Sequence, residues 1–275
     1  MRPYIVWSPG YAPLCGGIKV LHRFCKELEE KGQEVYLNTT DQNPIWPIKY
    51  ADNAKVRELL NRGGIAVYPE IVTGNPFNAK TIVRYVLNQA GLLGGPTDYT
   101  QGETIFPFSM VFNKFGLDSS WVLFLPVIET NIFFDKHLPR EGKMVYFGKG
   151  FRLGDRTRNS VTDGLPNLTS FMQTAESLSE ALNKCELVYC YDNITAITEI
   201  SRLCGCPVVI FPNGEFTREK YSEHEMGWDG LAWGLEEQER AISSMNSDDF
   251  MVRYLKLKET FLENLDLFIE RTQNA

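Results

Sequence analysis

The sequence predicts an α/β protein made of two lobes, each built on a parallel sheet with helices packed against it. Three observations predict it. Residues 187–214 read strand–helix–strand: Leu187–Tyr191 is a short apolar run rich in β-formers, and Asp192 and Asn193 break it. Ile197, Ile200, Leu203 and Cys204 then recur at helical spacing, Gly205 ends that helix, and Val208–Phe211 is a second β-branched run closed by Pro212-Asn213-Gly214. A unit of this length joins parallel strands. The amino terminus follows the same order, with strand Tyr4–Ser8, a loop ending in Gly16-Gly17, a helix with Ile18, Leu21, Cys25 and Leu28 on one face, a stop at Gly32, and strand Glu34–Leu37. Finally, 275 residues allow about two domains, and the mixed stretch Glu129–Gly142 suits the linker between them.

The remaining elements follow in order. Ala54–Asn61 predicts a short helix through Val56, Leu59 and Leu60, ended by Gly63-Gly64. Ile65–Tyr68 is a strand, left through Pro69-Glu70 into the loop Ile71–Asn78. Ile82, Val83, Val86, Leu87 and Ala90 then fall at spacings that predict a helix closed by Gly91. Thr104–Phe108 and Trp121–Ile128 predict strands. Beyond the linker, Lys143–Phe147 starts a new sheet and delivers Gly148-Lys149-Gly150-Phe151-Arg152, with Arg156 and Arg158 beyond. Ser177 is placed to cap a helix holding Leu178, Leu182 and Cys185. After Gly214 the polar and aromatic mixture of Tyr221, His224, Met226, Trp228 and Trp233 predicts irregular chain. Met251, Tyr254, Leu255, Phe261, Leu262, Leu265 and Phe268 predict a long amphipathic last helix.

Composition narrows the function classes. A formal net charge of −7 gives no general attraction to nucleic acid or to an anionic membrane, so a polyanionic ligand needs a local cluster of cations. The six cysteines form no CxxC pair and no zinc-like spacing with histidine, and they read as free thiols of a reducing cytoplasm. The start MRPYIVWSPG does not read as a signal peptide, and no apolar run approaches the roughly 20 residues of a membrane helix. Neither GxGxxG nor GxxxxGK[ST] occurs, which disfavours a dinucleotide fold and a P-loop.

The parallel sheets say where to look, because such sheets bind ligands outside the carboxyl ends of their strands. Asp192, Asn193 and Thr195 sit at one such end and open a helix whose free N–H groups suit a phosphate. Gly16 and Gly17 open the first helix and let backbone N–H groups approach a ligand, or simply allow a tight turn. Glu70, Asn75 and Asn78 lie after another strand and are candidates for ligand contacts, with turn formation as the plainer role for each. Glu70 is the carboxylate there that would serve as a general base.

Thr198-Glu199 followed by Cys204-Gly205-Cys206-Pro207-Val208-Val209 resembles the carboxy-terminal signature of GT-B glycosyltransferases of the group 1, family 4-like superfamily. The resemblance implies two Rossmann-like domains with parallel sheets facing a central cleft. It divides the chain into an acceptor-side domain over 1–130, a nucleotide-sugar domain over 142–247, and a last helix over 248–275 that crosses back or packs on the second domain. It places Glu199 on the donor ribose, since a carboxylate offers two acceptors to a vicinal diol. Lys149 and Arg152 fall on the diphosphate, Gly16 and Gly17 on the phosphates, Asn193 and Thr195 near phosphate or sugar, Glu70, Asn75 and Asn78 on sugar or acceptor, and Glu70 would be the base in an inverting reaction. Two departures stand. Glu199 to Gly205 is one residue longer than the usual spacing, and Tyr191 occupies the place of an upstream glutamate, for which Asp192 is the substitute considered. No histidine stands near the Ile71–Asn78 loop, where retaining members often carry one.

The implied activity is metal-independent hexosyl transfer from a nucleotide-diphosphate sugar to a glycan or lipid-linked acceptor in cell-surface polysaccharide synthesis, with no cofactor. A lipid-linked acceptor leaves peripheral membrane contact open, and donor sugar, stereochemistry and oligomeric state are not specified. A non-catalytic GT-B partner subunit and a nucleotide-sugar epimerase of GT-B shape are the alternatives.

Overall fold

The computed structural model describes residues 1–12, 15–40, 46–150 and 157–275. The chain divides into two compact units, residues 1–127 with 257–275 and residues 128–256.

The first unit holds a five-stranded parallel sheet in the order β2-β1-β3-β4-β5, from β1 (Tyr4–Trp7), β2 (Val35–Asn38), β3 (Ile65–Pro69), β4 (Thr81–Val86) and β5 (Thr104–Pro107). Helix α1 (Gly16–Glu30) joins β1 to β2, and α2 (Asn53–Asn61) precedes β3, its first turn capped by the Asp52 carboxylate at 2.8 Å from the Lys55 N–H. The alternation of buried residues shows both sheet faces covered. Tyr4, Val6, Val67, Val83, Tyr85 and Phe106 pack on one face with Phe24 of α1, and Ile5 packs on the other with Val56 and Leu59 of α2. The first face is closed by the last helix, α7 (Ser247–Gln273), through Phe261, Leu265 and Phe268. Phe268 meets Phe24 edge-on at 5.2 Å and Phe106 at 4.7 Å. Residues 247–256 of this helix group with the second unit and 257–273 with the first.

Two expectations for this unit are corrected. Residues 82–90 are not a helix: Thr81–Val86 is β4, hydrogen-bonded between β3 and β5. The run Thr81-Ile82-Val83-Arg84-Tyr85-Val86 is dominated by β-branched and aromatic side chains, and sheet pairing overrides the chance helical spacing. Its side chains alternate, Val83 and Tyr85 into the main core and Ile82 toward Ala66 and Tyr68. Residues 121–128 form no strand: a 3₁₀ turn spans Ser119–Trp121 and an extended segment follows. Side chains take the carbonyls that a ladder would use. The Asn264 amide donates to the Ser119 and Val122 carbonyls, and the Tyr85 hydroxyl donates to that of Leu123.

The second unit holds a four-stranded parallel sheet in chain order, β6 (Lys143–Tyr146), β7 (Leu187–Cys190), β8 (Val208–Ile210) and β9 (Leu231–Trp233). Helices α3 (Ala175–Lys184), α4 (Ile197–Leu203) and α5 (Arg218–Tyr221) lie in the successive connections, and α6 (Gln238–Ser243) follows β9. Strands connected in strict order by right-handed crossovers carry their helices on one face. The opposite face, with Val145, Leu187, Tyr189, Tyr191, Val209 and Ala232, is covered by Ala241 of α6 with Leu165 and Leu235. Two local expectations change here. The cap of α3 is Thr174, with Ser177 at the third helical position closing a reciprocal capping box. The segment after Gly214 is not irregular throughout, since it supplies α5, β9 and α6; β9 is only Leu231–Trp233, too short to stand out from its surroundings.

Candidate functional site

In the second unit the carboxyl ends of β6, β7 and β8 come together, and the local sequence explains how. Gly148 has a φ of 53°, and a Cβ there would strike Asp192 and the Tyr146 ring. A Cβ on Gly150 would strike the Tyr191 carbonyl. Both glycines are needed for the turn after β6 to lie against the turn after β7. Between them, Lys149 donates from its backbone N–H to Asp192 Oδ2 at 3.0 Å, and from Nζ to Oδ1 and Oδ2 at 2.9 and 3.1 Å. The same ammonium bonds the Ile194 carbonyl. Lys149 is therefore brought onto the segment leading to Glu199, and its charge is matched by the buried Asp192.

Asn193 is fully buried and ties two strand ends together: its amide donates to the Phe211 carbonyl at 2.8 Å, and its Oδ1 accepts from the Asn213 N–H at 3.2 Å. Thr195 closes the turn into α4, its carbonyl accepting from the Thr198 hydroxyl at 2.9 Å. Arg152 lies outside the described residues. Below these turns runs a column of rings: Phe147 and Tyr191 at 5.3 Å, Tyr191 and Phe211 at 4.7 Å, Phe211 and Tyr189 at 5.7 Å, all nearly parallel.

Glu199 sits in the first turn of α4, only 8% exposed. Its Oε1 lies 3.2 Å from His224 Nε2, and its Oε2 is buried with no hydrogen-bond partner among the described residues. Burial raises the affinity of this carboxyl for a proton, but the hydrogen bond and electrostatic attraction from His224, followed by the charge of Arg202, outweigh it and hold the group below the usual carboxylate range. Sequence reasoning placed Glu199 but gave His224 no role. Twenty-five positions separate them, no spacing rule connects them, and the chain between passes through β8 and α5. Arg202, one helical turn after Glu199, was the more accessible signal. It is fully buried, with Nε on the Thr198 carbonyl at 3.1 Å and Nη1 on those of Gly227 and Asp229 at 2.9 and 3.2 Å.

In the first unit the strand order reverses direction between β1 and β3, which is where a doubly wound sheet opens a crevice. Gly16 and Gly17 begin α1 on the β1 side; the helix has no side-chain cap, so its first N–H groups are available to a ligand. A Cβ on Gly17 would only touch Leu87, at 3.7 Å. Glu70 follows β3 on the other side, buried, and accepts from the Leu87 N–H at 2.9 Å. Burial raises its pKa to about 7, against the opposing backbone hydrogen bonds from Leu87, Glu70 and Asn88. Asn75 spends its side chain on its own loop, donating to the Ala79 carbonyl at 2.8 Å and accepting from the Ala79 N–H at 3.0 Å and the Tyr68 hydroxyl at 3.1 Å. Asn78 is exposed with a φ of 55° and donates its N–H to the Asn75 carbonyl. Arg84 pins this loop from below through the Val72 and Gly74 carbonyls and an ion pair with Glu103.

A separate cavity of about 650 Å³ in the second unit is lined by Asp135, His137, Asp229, Ser247, Asp249 and Arg253 among others, and by none of the residues singled out from sequence. Among the described residues, no cluster of His, Cys, Asp and Glu has the makings of a metal site, and no helix is long and apolar enough to cross a membrane.

No protein-family model matches the sequence, and no curated protein matches it. Solved structures do resemble the fold. A glycosyltransferase from Rickettsia africae ESF-5 aligns with a TM-score of 0.51 at 9% identity, over 100% of this chain and 99% of that one. AviGT4, a glycosyltransferase involved in avilamycin A biosynthesis, aligns with a TM-score of 0.49 at 13% identity, over 99% and 97% of the two chains. At such identities the likeness is one of architecture. Two parallel α/β sheets in two units, aligned end to end with the first of these structures, give the chain a GT-B fold.

Proposed function

We propose that this protein is a glycosyltransferase that takes a sugar from a nucleotide-diphosphate donor. The observation that carries the reading is the meeting, at the carboxyl ends of β6 and β7, of a lysine ammonium with the segment that presents Glu199 and its unmet carboxylate oxygen. A ribose hydroxyl would supply the hydrogen bond that this oxygen lacks. Lys149, exchanging part of its contact with Asp192 for the diphosphate, would stabilise charge developing on the leaving group. From the sequence, Arg152 is assigned to the same diphosphate, and Asn193 and Thr195 hold the turn against which phosphate and sugar would lie. These cations and backbone N–H groups would do the work of a divalent ion.

In the transfer itself, an acceptor hydroxyl attacks the anomeric carbon, the bond to the diphosphate breaks with its electron pair leaving on oxygen, and the hydroxyl proton goes to a base. Glu70, with a pKa near 7, has the proton affinity of a base working close to neutrality. The loop closed by Asn75 would offer Asn78 and its backbone to the acceptor, a glycan or a lipid-linked glycan. Asp192 would orient Lys149 and the sugar.

The test is sugar transfer from a panel of nucleotide-diphosphate hexoses with the native chain, Glu199→Ala and Lys149→Ala. Both variants should lose at least tenfold in kcat/KM for donor; full activity in both would refute the assignment. The complete pairing of Lys149 with Asp192 favours one second reading, a non-catalytic GT-B partner subunit. Thermal-shift measurements separate the two, since a donor-binding enzyme gains stability with a nucleoside diphosphate and such a subunit does not.

A further inference from the structure

We propose that His224 is the positioning residue for Glu199, and that this pair lets the protein select ribonucleotides over deoxyribonucleotides. The inference rests on the nucleotide-binding role proposed above and extends it to a residue outside the signature.

The tautomer of His224 follows from its neighbours. Its Nδ1 accepts from the Met226 N–H at 3.2 Å, so a neutral ring carries its proton on Nε2 and donates it to Glu199 Oε1. The ring is also held in plane, stacked on Tyr221 at 5.5 Å and 14°. Tyr221 is itself buried against Trp228 and Trp233, and its hydroxyl lies 3.5 Å from that of Thr198, the residue before Glu199. Arg202 ties the same helix to the Gly227 and Asp229 carbonyls. The imidazole is thus fixed by the Met226 hydrogen bond and by the stack on Tyr221, and its direction fixes the carboxylate.

One carboxylate oxygen is thereby occupied and the other left bare. Oε2 is an acceptor only, buried, and without a partner among the described residues. What completes it must be a donor, and a hydroxyl of a vicinal diol is one. Because Oε2 lies beneath the surface, the hydroxyl reaches it only when the side chains above it shift. A ligand lacking the hydroxyl leaves the buried oxygen unmet, which is how sites built around a polar group reject analogues that lack it.

The experiment is calorimetric titration of the full chain with UDP, ADP and GDP and with the 2′-deoxy and 3′-deoxy counterpart of each. The native protein should favour one ribonucleotide over a deoxy counterpart by about tenfold or more, a difference of about 1.4 kcal/mol. His224→Phe keeps the ring on Tyr221 but removes the N–H; it should bring the ratio to about one, chiefly by weakening the ribonucleotide. His224→Gln restores a donor and should recover part of the ratio. Equal weakening of both ligands in His224→Phe, or an unchanged ratio, would mean a structural role only and overturn the proposal. Should His224→Phe not fold, nitrogen NMR of the native histidine decides instead: saturation with the ribonucleotide must shift the Nε2 resonance, and the absence of a shift overturns the proposal. Native protein that binds none of the three ribonucleotides would overturn the nucleotide-binding role as well. Binding with no ribose preference would overturn only the role of this pair.

Discussion

Glu70 is a carboxyl whose environment sets both its chemistry and its cost. Buried just after β3, where burial outweighs the backbone hydrogen bonds it accepts, it holds its proton to a pH of about 7, where an exposed carboxyl loses it near 4.5. A folded-state pKa above the unfolded one means the native chain binds more protons between these limits, so stability falls as pH rises from about 4.5 through about 7. The loss is roughly 3 kcal/mol at about 1.4 kcal/mol per pH unit. Glu70→Gln, which keeps an oxygen for the Leu87 N–H, should flatten the dependence. Urea unfolding at pH 5 and pH 8 checks this: the stability of the native chain relative to the variant should be lower at pH 8 than at pH 5. The same proton affinity predicts that kcat rises with pH through about 7 and that this limb disappears in Glu70→Gln. His22 shows the opposite sign. Fully buried in α1, with neither ring nitrogen hydrogen-bonded among the described residues, it has its pKa lowered to about 4 by burial, so it opposes folding increasingly as pH falls below 6.5.

At the scale of elements, the legible parts were those with local punctuation. The units around Gly32 and Gly205 were readable because a glycine at positive φ ends each helix beside a β-branched strand. Strand β4 was misread because its identity is set by neighbours: Ile82, Val83 and Val86 sit at a helical spacing, yet Arg84 among them reaches sideways to the loop after β3 and to Glu103. The Tyr68 and Tyr99 rings flank its guanidinium at 5.1 and 5.4 Å. Glu199 was legible through its signature, whereas the Lys149–Asp192 pair was not, since nothing in the linear order says that the two turns touch. The Arg84–Glu103 pair carries a prediction at this scale. Arg84→Met leaves the half-buried Glu103 carboxylate without its cation and the Val72 and Gly74 carbonyls without their donor, and should cost about 1–3 kcal/mol; the double variant Arg84→Met/Glu103→Leu should recover part of it. A double-mutant cycle by chemical denaturation measures the difference; equal stability of single and double variants would contradict it.

For the whole molecule, chain order and unit membership part company at residue 257, where the chain returns to the first unit. Phe261, Leu265 and Phe268 complete a core otherwise built from residues before 128. Lys258 and Arg23 both pair with the buried Glu27, and the Arg271 guanidinium lies over the Trp121 ring at 4.0 Å. Removing residues 257–275 should therefore expose the aromatic face of the first sheet and leave Glu27 short of a cation. Strong binding of a hydrophobic dye and loss of cooperative melting in the first unit are the expected outcomes. A truncated chain that melts like the intact one would show that this helix is dispensable.

The strict strand order of the second sheet also bears on where that unit first yields. With the crossover helices gathered on one side, its other side is roofed by six-residue α6, a few loop side chains and the column of rings from Phe147 to Tyr189. Thin roofing makes local opening inexpensive. Deuterium should therefore enter the amides of α6 and β9 well before those of β1 and β3, which are clad on both sides. The region most ready to rearrange around an incoming molecule is then also the one that borders the carboxyl ends of β6, β7 and β8.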